Sequence, residues 1–221
     1  MAHTLPPRSP KGGRPTQELA VQLGKHILEI ALEQFVTHGV ERASMEDIAA
    51  AAKVSKRTLY SRFGSKLALL VASIEHFVSE EVDLVSASVQ AGSLRSQIIH
   101  VAGKLLDLSL RPDVVGVESL AMWLKKHEPE LFEAKSDFGA KNGIRIFEDI
   151  LENTPELKVE QGCNVVEFAQ FLHDILIVIP RHRILLRHDL QNSAQAKSDY
   201  LERAMDMLTT PWPMLKSPGP A

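Results

Sequence analysis

Among 221 residues there is one cysteine, Cys163, and aromatic side chains make up only 5%. A lone thiol closes no internal disulfide, and no histidine or cysteine stands near it at zinc-ligand spacing, so the chain encodes neither a disulfide scaffold nor a zinc finger. Long apolar runs are equally scarce. The longest aliphatic stretch, residues 175–179, meets Pro180, Arg181 and His182 at once and falls far short of the ~20 residues that cross a bilayer. The first ten residues, MAHTLPPRSP, hold no apolar segment of the secretory type, which predicts a cytoplasmic protein. Also missing are a glycine loop of the phosphate-cradling kind and a G-x-S-x-G nucleophile elbow. No stretch alternates apolar and polar residues between hairpin turns, so no sheet is expected.

What remains is ordinary globular material, 44% hydrophobic and 24% charged, enough for a real core. The formal charge of −3 conceals an asymmetry. Residues 1–66 hold ten Lys and Arg against six acids, a balance of +4, which leaves −7 for the rest of the chain. A polyanion is therefore steered to the first third and repelled by the remainder.

Apolar residues recur at spacings of three and four almost throughout, which predicts an all-α chain. Pro6, Pro7, Pro10, Gly12, Gly13 and Pro15 break regular structure, so a basic arm over 1–15 precedes a first helix capped by Thr16. Leu23, Ile27, Ile30, Ala31 and Phe35 give that helix one apolar stripe, and Gly39 ends it, glycine taking a left-handed conformation without a Cβ penalty. Ser44, followed by Met45, Glu46 and Asp47, caps a short second helix whose acids suit its positive end. After a turn at Lys53 and Val54, Ser55 caps a third helix over 56–63. Its inward face is Leu59 and Phe63; its outward face is Lys56, Arg57, Thr58, Tyr60, Ser61 and Arg62, a surface suited to a polyanion. Two short helices joined by a tight turn, the second rich in donors, are the parts of a helix-turn-helix over 44–62. Arg and Lys can donate to the N7 and O6 acceptors of guanine, while Thr and Tyr bond phosphate.

Residues 39–66, GVERASMEDIAAAAKVSKRTLYSRFGSK, resemble the DNA-binding signature of the TetR family of regulators. The likeness includes Gly39, a serine opening helix two, Ile48-Ala49, Val54-Ser55-Lys56, Thr58-Leu59-Tyr60, Phe63 and Ser65-Lys66, and extends upstream through Ile27, Ala31 and Phe35. It implies that Ser44 and Lys66 touch phosphates and that Lys56, Arg57, Thr58, Tyr60, Ser61 and Arg62 line the major groove, with Arg57 as base reader. Ser55 joins this DNA-facing set. Two positions depart from the pattern: Lys53 stands where glycine is common, which asks a non-glycine residue for a positive φ, and Leu67 replaces a frequent acid. In the arm, Arg14 among small neighbours is a second DNA candidate, for the minor groove; the plainer reading is a basic tail that adds salt-sensitive affinity.

From Ser65 onward Leu67, Leu70, Ile74, Phe77, Val78, Val82 and Val85 predict a long helix leaving the DNA-binding domain (16–64) for a helical body (65–210), with a Pro-rich tail over 211–221 anchored by Trp212. Further helices are expected near 94–110, 114–126, 128–151, 165–190 and 194–209. The last two carry dense apolar faces: Val165, Phe168, Ala169, Leu172, Ile175, Leu176 and Ile179, then Leu201, Ala204, Met205 and Leu208. In the resembled family the corresponding helices pair with their twins, which implies a homodimer reading a palindromic operator; ordinary intrachain core is the alternative. Pro180 should kink or end its helix. The family habit of holding a small-molecule effector in the body suggests a lining of Trp123, His127, Phe132, Phe138, Phe147, Phe171 and His173, with His100, Lys104 and Arg111 as alternatives for an anionic effector. Release of DNA on effector binding, by displacement of the helix from Ser65, is the implied mechanism.

His173-Asp174 and His188-Asp189 superficially resemble the pairs of a metal-dependent phosphohydrolase, but no third or fourth ligand stands at supportive spacing. No catalytic residue, cofactor or metal ligand is expected, and neither a phosphohydrolase nor a helical adaptor accounts for the placement of Arg57 and Tyr60.

Overall fold

The computed structural model describes residues 17–134, 140–154 and 164–208, and no strand occurs among them. Arg14 with the rest of the arm, Thr16, Phe138, Cys163 and the tail with Trp212 lie outside the described residues. Helix α1 covers Gln17–Arg42, buries Ile27, Ala31 and Phe35, and is broken at Gly39, whose φ of 77° and ψ of 161° are not helical. The helix turns where expected, then resumes for a last turn to Arg42.

Serines set the next three starts. Ser44 Oγ accepts from the amide of Asp47 at 3.1 Å and opens α2, Met45–Ala51. Ser55 Oγ accepts from Thr58 N at 3.0 Å and opens α3, Lys56–Phe63. Ser65 Oγ accepts from Ala68 N at 3.1 Å and opens α4, Lys66–Ala87. Each such cap stabilises its helix by about 1 kcal/mol, because the first-turn amides have no partner within the helix. Between α2 and α3, Lys53 takes a φ of 55°, the positive value that the turn demanded.

The body comprises α5 (Leu94–Ser109), α6 (Pro112–His127), α7 (Pro129–Ala134), α8 (Ala140–Glu152), α9 (Val165–His173), α10 (Ile179–His182) and α11 (Ala194–Leu208). The single helix expected over 128–151 is thus two, α7 and α8. Pro129 opens α7, since a missing N–H costs nothing in a first turn. Pro180, expected to kink or end its helix, does not end it. α9 and α10 join through a π-helical turn, Asp174–Val178, and a second such turn, Arg183–Arg187, follows. The amide of Ile179 bonds the Asp174 carbonyl, so the turn before Pro180 is widened and the helical path continues across it from 165 to 187. His188, left-handed at φ 54°, ends the rod.

Two apolar clusters hold the chain. One gathers Ile98, Leu106, Phe147, Leu172, Leu176 and Met205 from α5, α8, the 165–187 rod and α11. The other gathers Ile27, Phe35, Ile48 and Leu59 from α1 to α3, but is completed by Leu69, Leu70 and Ile74 of α4 and by Val117, Leu120 and Leu124 of α6. The packing of the head therefore runs past residue 65 into the body. α1 and α6 meet closely: a Cβ on Gly116 would stand 2.5 Å from Val36 Cγ1.

Candidate nucleic-acid interface

Helix α3 presents Lys56, Arg57, Tyr60, Ser61 and Arg62 to solvent, with Leu59 wholly buried beneath them. Lys56 forms an ion pair with Glu46 of α2, and its ammonium lies 5.8 Å from the centre of the Tyr60 ring. Both contacts hold two side chains of the face in one arrangement. Ser55 Oγ and Thr58 Oγ1 hydrogen-bond each other at 2.8 Å, so these hydroxyls serve the cap. Arg57 has no hydrogen bond or ion pair among the described residues and projects as a free guanidinium. Arg62 lies back over α1, where a Cβ on Gly24 would meet its Nη1 at 3.3 Å.

Lys66 is placed otherwise than the resemblance implied. Its ammonium donates to the carbonyls of Val40 at 2.8 Å, Ala43 at 3.1 Å and Glu41 at 3.4 Å, and the residue is half-buried. All three of its protons are directed at the end of α1, which makes Lys66 a tie between α1 and α4. Ser44, engaged with the Asp47 amide and its carboxylate, is likewise a structural cap in this arrangement.

In the body, a cavity of about 500 Å³ opens between α4, α5, α6, α8 and the 165–187 rod. Ile74, Phe77, Val78 and Val82 form its α4 wall; Leu105, Leu108, Val117, Ile177 and Val178 supply most of the rest. Its arginine and its two glutamates are already paired. Arg181 pairs with Glu118 and donates from Nε to the Ser109 carbonyl at 3.0 Å, while Glu81 accepts from Arg111 at 2.9 Å. The acids around Arg111, Asp113 first, hold its guanidinium protonated, and the same pairing keeps the Asp113 carboxyl below the usual carboxylate range. His173 is buried on this wall, and burial lowers its pKa against the opposing pull of Asp174. The neutral imidazole is favoured there.

Of the aromatic and histidine lining expected from sequence, His173 alone lines this cavity among the described residues. Trp123 and His127 stack on each other at 4.5 Å, and Trp123 and Phe132 pack against the head cluster. Phe147 is wholly buried in the body core, and Phe171 is exposed. Of the alternatives, Lys104 is exposed and His100 and Arg111 are half-buried, all three outside the lining. The aliphatic and paired-charge lining has no sequence signature of its own; its nearest trace is the i, i+4 spacing of Phe77 with Glu81 and of Ile177 with Arg181.

The expected interface residues are also differently placed. Phe168, Leu172, Leu176, Leu201, Ala204, Met205 and Leu208 are buried in the chain's own core, because the densest apolar face of each helix packs inward first. Ile175 is half-buried against the same core, and Ile179 is 45% exposed. The large apolar side chains exposed on these elements are Val166, Phe171, Val178, Ile179, Leu185, Leu186 and Met207. Neither His173-Asp174 nor His188-Asp189 gathers metal ligands: Asp189 is held by Arg183 and Arg187. Among the described residues no helix is long and apolar enough to cross a membrane.

A capped helix-turn-helix with a basic outer face, joined by one long helix to an all-helical body with a cavity, defines a DNA-binding regulator of the helix-turn-helix class. Residues 27–73 match the model of the bacterial regulatory proteins of the tetR family. The chain is 26% identical over 173 residues to a DNA-binding transcriptional repressor TetR of Mycobacteroides abscessus, covering 76% of this chain and 84% of that one. The chain thus carries the DNA-binding segment of the TetR family over residues 27–73 and is similar to a TetR repressor over most of its length. Its fold is also that of a crystal structure described as a TetR-family transcriptional regulator from Mesorhizobium loti, with a TM-score of 0.75 at 17% identity over 86% of this chain and 96% of that one. A second solved structure, Flavonoid-responsive Regulator FrrA, aligns with a TM-score of 0.66 at 21% identity, over 86% of this chain and 97% of that one.

Proposed function

We propose that the protein is a repressor that binds a palindromic operator as a homodimer and leaves it when a small-molecule effector enters the body cavity. The observation that carries this reading is the path of α4. Its first turns, through Leu69, Leu70 and Ile74, are part of the head core, and its next turns, from Ile74 through Val82, are a wall of the cavity. A ligand that spreads that wall moves a rod whose other end is packed into the helix-turn-helix. Two recognition helices must lie about one helical turn, ~34–36 Å, apart to enter successive major grooves, so a shift of a few ångströms breaks the fit.

The cavity volume falls within the roughly 300–1,000 Å³ of small-molecule sites. With Arg181, Glu81 and Glu118 already paired and the rest of the lining mostly aliphatic apart from His173 and His182, the cavity suits a largely apolar, uncharged effector. On the DNA side, Arg57 reads a base edge, Lys56, Tyr60 and Ser61 accompany it in the groove, and Arg14 extends the contact from the arm. The domain division of the sequence, 16–64 and 65–210, describes function better than packing. Selection of fragments from random DNA by the purified protein tests the reading: an inverted repeat should emerge, and uncharged apolar metabolites should release it. Enrichment of no sequence, or of a single half-site, refutes it.

A further inference from the structure

On the flank of the head opposite in charge to α3, three metal-ligating side chains meet. Glu29 of α1 and His76 and Glu80 of α4 each bring one ligand atom within 4.8 Å of the others. His76 and Glu80 stand one helical turn apart, so their side chains share a face of α4, and Glu29 comes from across the crossing of α1 and α4. The imidazole Nε2 of His76 is enclosed by the protein and has no hydrogen-bond partner; the nearest carboxylate oxygen, Glu80 Oε1, is 3.6 Å away. A buried ring nitrogen with no bond is an unusual thing to leave beside two carboxylates, because buried polar atoms are nearly always satisfied. Glu33 and Asp113 line the same groove, Asp113 already paired with Arg111, and the Lys25 ammonium reaches Glu80 at 3.1 Å.

We propose that Glu29, His76 and Glu80 form a binding site for one divalent first-row transition ion, which pins α1 to α4. One neutral imidazole and two carboxylates suit Zn²⁺, Mn²⁺ or Fe²⁺, with remaining positions filled by water. Neighbouring ligand atoms around one such ion lie about 2.8–3.6 Å apart, from octahedral to tetrahedral, given bonds of about 2.0–2.2 Å. Closing from 4.8 Å requires only rotation of Glu29 and Glu80, both exposed, and departure of Lys25 from a surface ion pair of little worth. The site is unlike any the sequence suggested, since no short-range spacing joins Glu29 to His76. Its place gives it a consequence: Phe77, next to His76, lines both this groove and the body cavity. An ion that fixes α1 on α4 and an effector that moves α4 act on the same crossing, so each must alter the other's affinity by the same factor.

The test uses the full chain, stripped with a chelator and titrated with Co²⁺, followed by visible absorption and calorimetry, with Zn²⁺ as displacer. One Co²⁺ per chain is expected, together with a higher melting temperature. Glu29→Gln and Glu80→Gln, both at exposed positions, should each weaken binding at least about tenfold, and His76→Asn should abolish it. Lys25→Ala should tighten binding by removing the competing ammonium, an effect that misfolding does not mimic. His188→Asn should change nothing. Absence of one-to-one binding, or binding that survives Glu29→Gln and Glu80→Gln undiminished, overturns the site.

Discussion

Arg57 and Lys66 sit nine residues apart on adjoining helices and illustrate two fates of a basic side chain. Arg57 projects from the first turns of α3 with no partner among the described residues, so its donors are available to a base edge. Arg57→Ala is expected to cost about 1–3 kcal/mol of specific DNA binding and to relax preference at one base pair, measured by competition against single-base variants of the selected site. Unchanged affinity and preference would remove Arg57 from the reading set. Lys66 donates instead to three carbonyls at the end of α1. Lys66→Met keeps most of the aliphatic stem and loses those bonds, so thermal unfolding should show a loss of about 1–3 kcal/mol of stability. A Lys66 that served only a phosphate would leave the melting temperature where it was and lower DNA affinity alone. Gly39 and Lys53 belong to this scale too. The positive φ of Gly39 was readable from residue type, and that of Lys53 from the glycine common at its place in the resembled family.

At the scale of elements, α1 and α6 cross at close quarters where head meets body. Gly116 faces Val36 so closely that a methyl group would require one helix to shift. Gly116→Ala gains about 1 kcal/mol of helix propensity but meets an overpacking cost of roughly 1–3 kcal/mol. A lower melting temperature is expected, restored when Val36→Ala is added; equal melting of Gly116→Ala and the parent would show the joint to be loose. Helix starts were legible because serine caps are local chemistry: Ser44, Ser55 and Ser65 act on the amides immediately after them. A helix over 165–190 was expected too, with a kink or an end at Pro180, but the π-helical turn that carries it past the proline was not legible. Sequence records the missing N–H, but only the packed rod decides whether a widened turn is retained in its place.

At the scale of the whole molecule, the proposed homodimer needs a surface that can meet a second copy. Buried residues cannot, which removes Leu172, Leu176, Leu201 and Met205 from the interface and leaves Phe171, Ile179 and Leu186 on the rod with Met207 on α11. Leu186 is 70% exposed and Met207 78% exposed, an arrangement costly to leave in water when both lie on the elements the family resemblance pairs. The double substitution Leu186→Glu with Met207→Glu should give a folded monomer in sedimentation velocity with far weaker operator binding, because half of a two-fold contact is lost. A dimer that persists places the interface elsewhere.

The sequence alone determined that this chain is helical, that its first third is basic, and that residues 39–66 carry a helix-turn-helix with Arg57 on its outer face. Those features follow from period, charge and capping, each decided within a few residues. Tertiary structure decided what lies between distant segments. It tied Lys66, expected at a phosphate, to the end of α1, lined the body cavity with mostly aliphatic and already paired groups, and buried most of the apolar face expected at a dimer. It also brought Glu29 to His76 and Glu80. A side chain's partner across a helix crossing depends on how whole helices pack, and that choice is made by the sum of the core contacts.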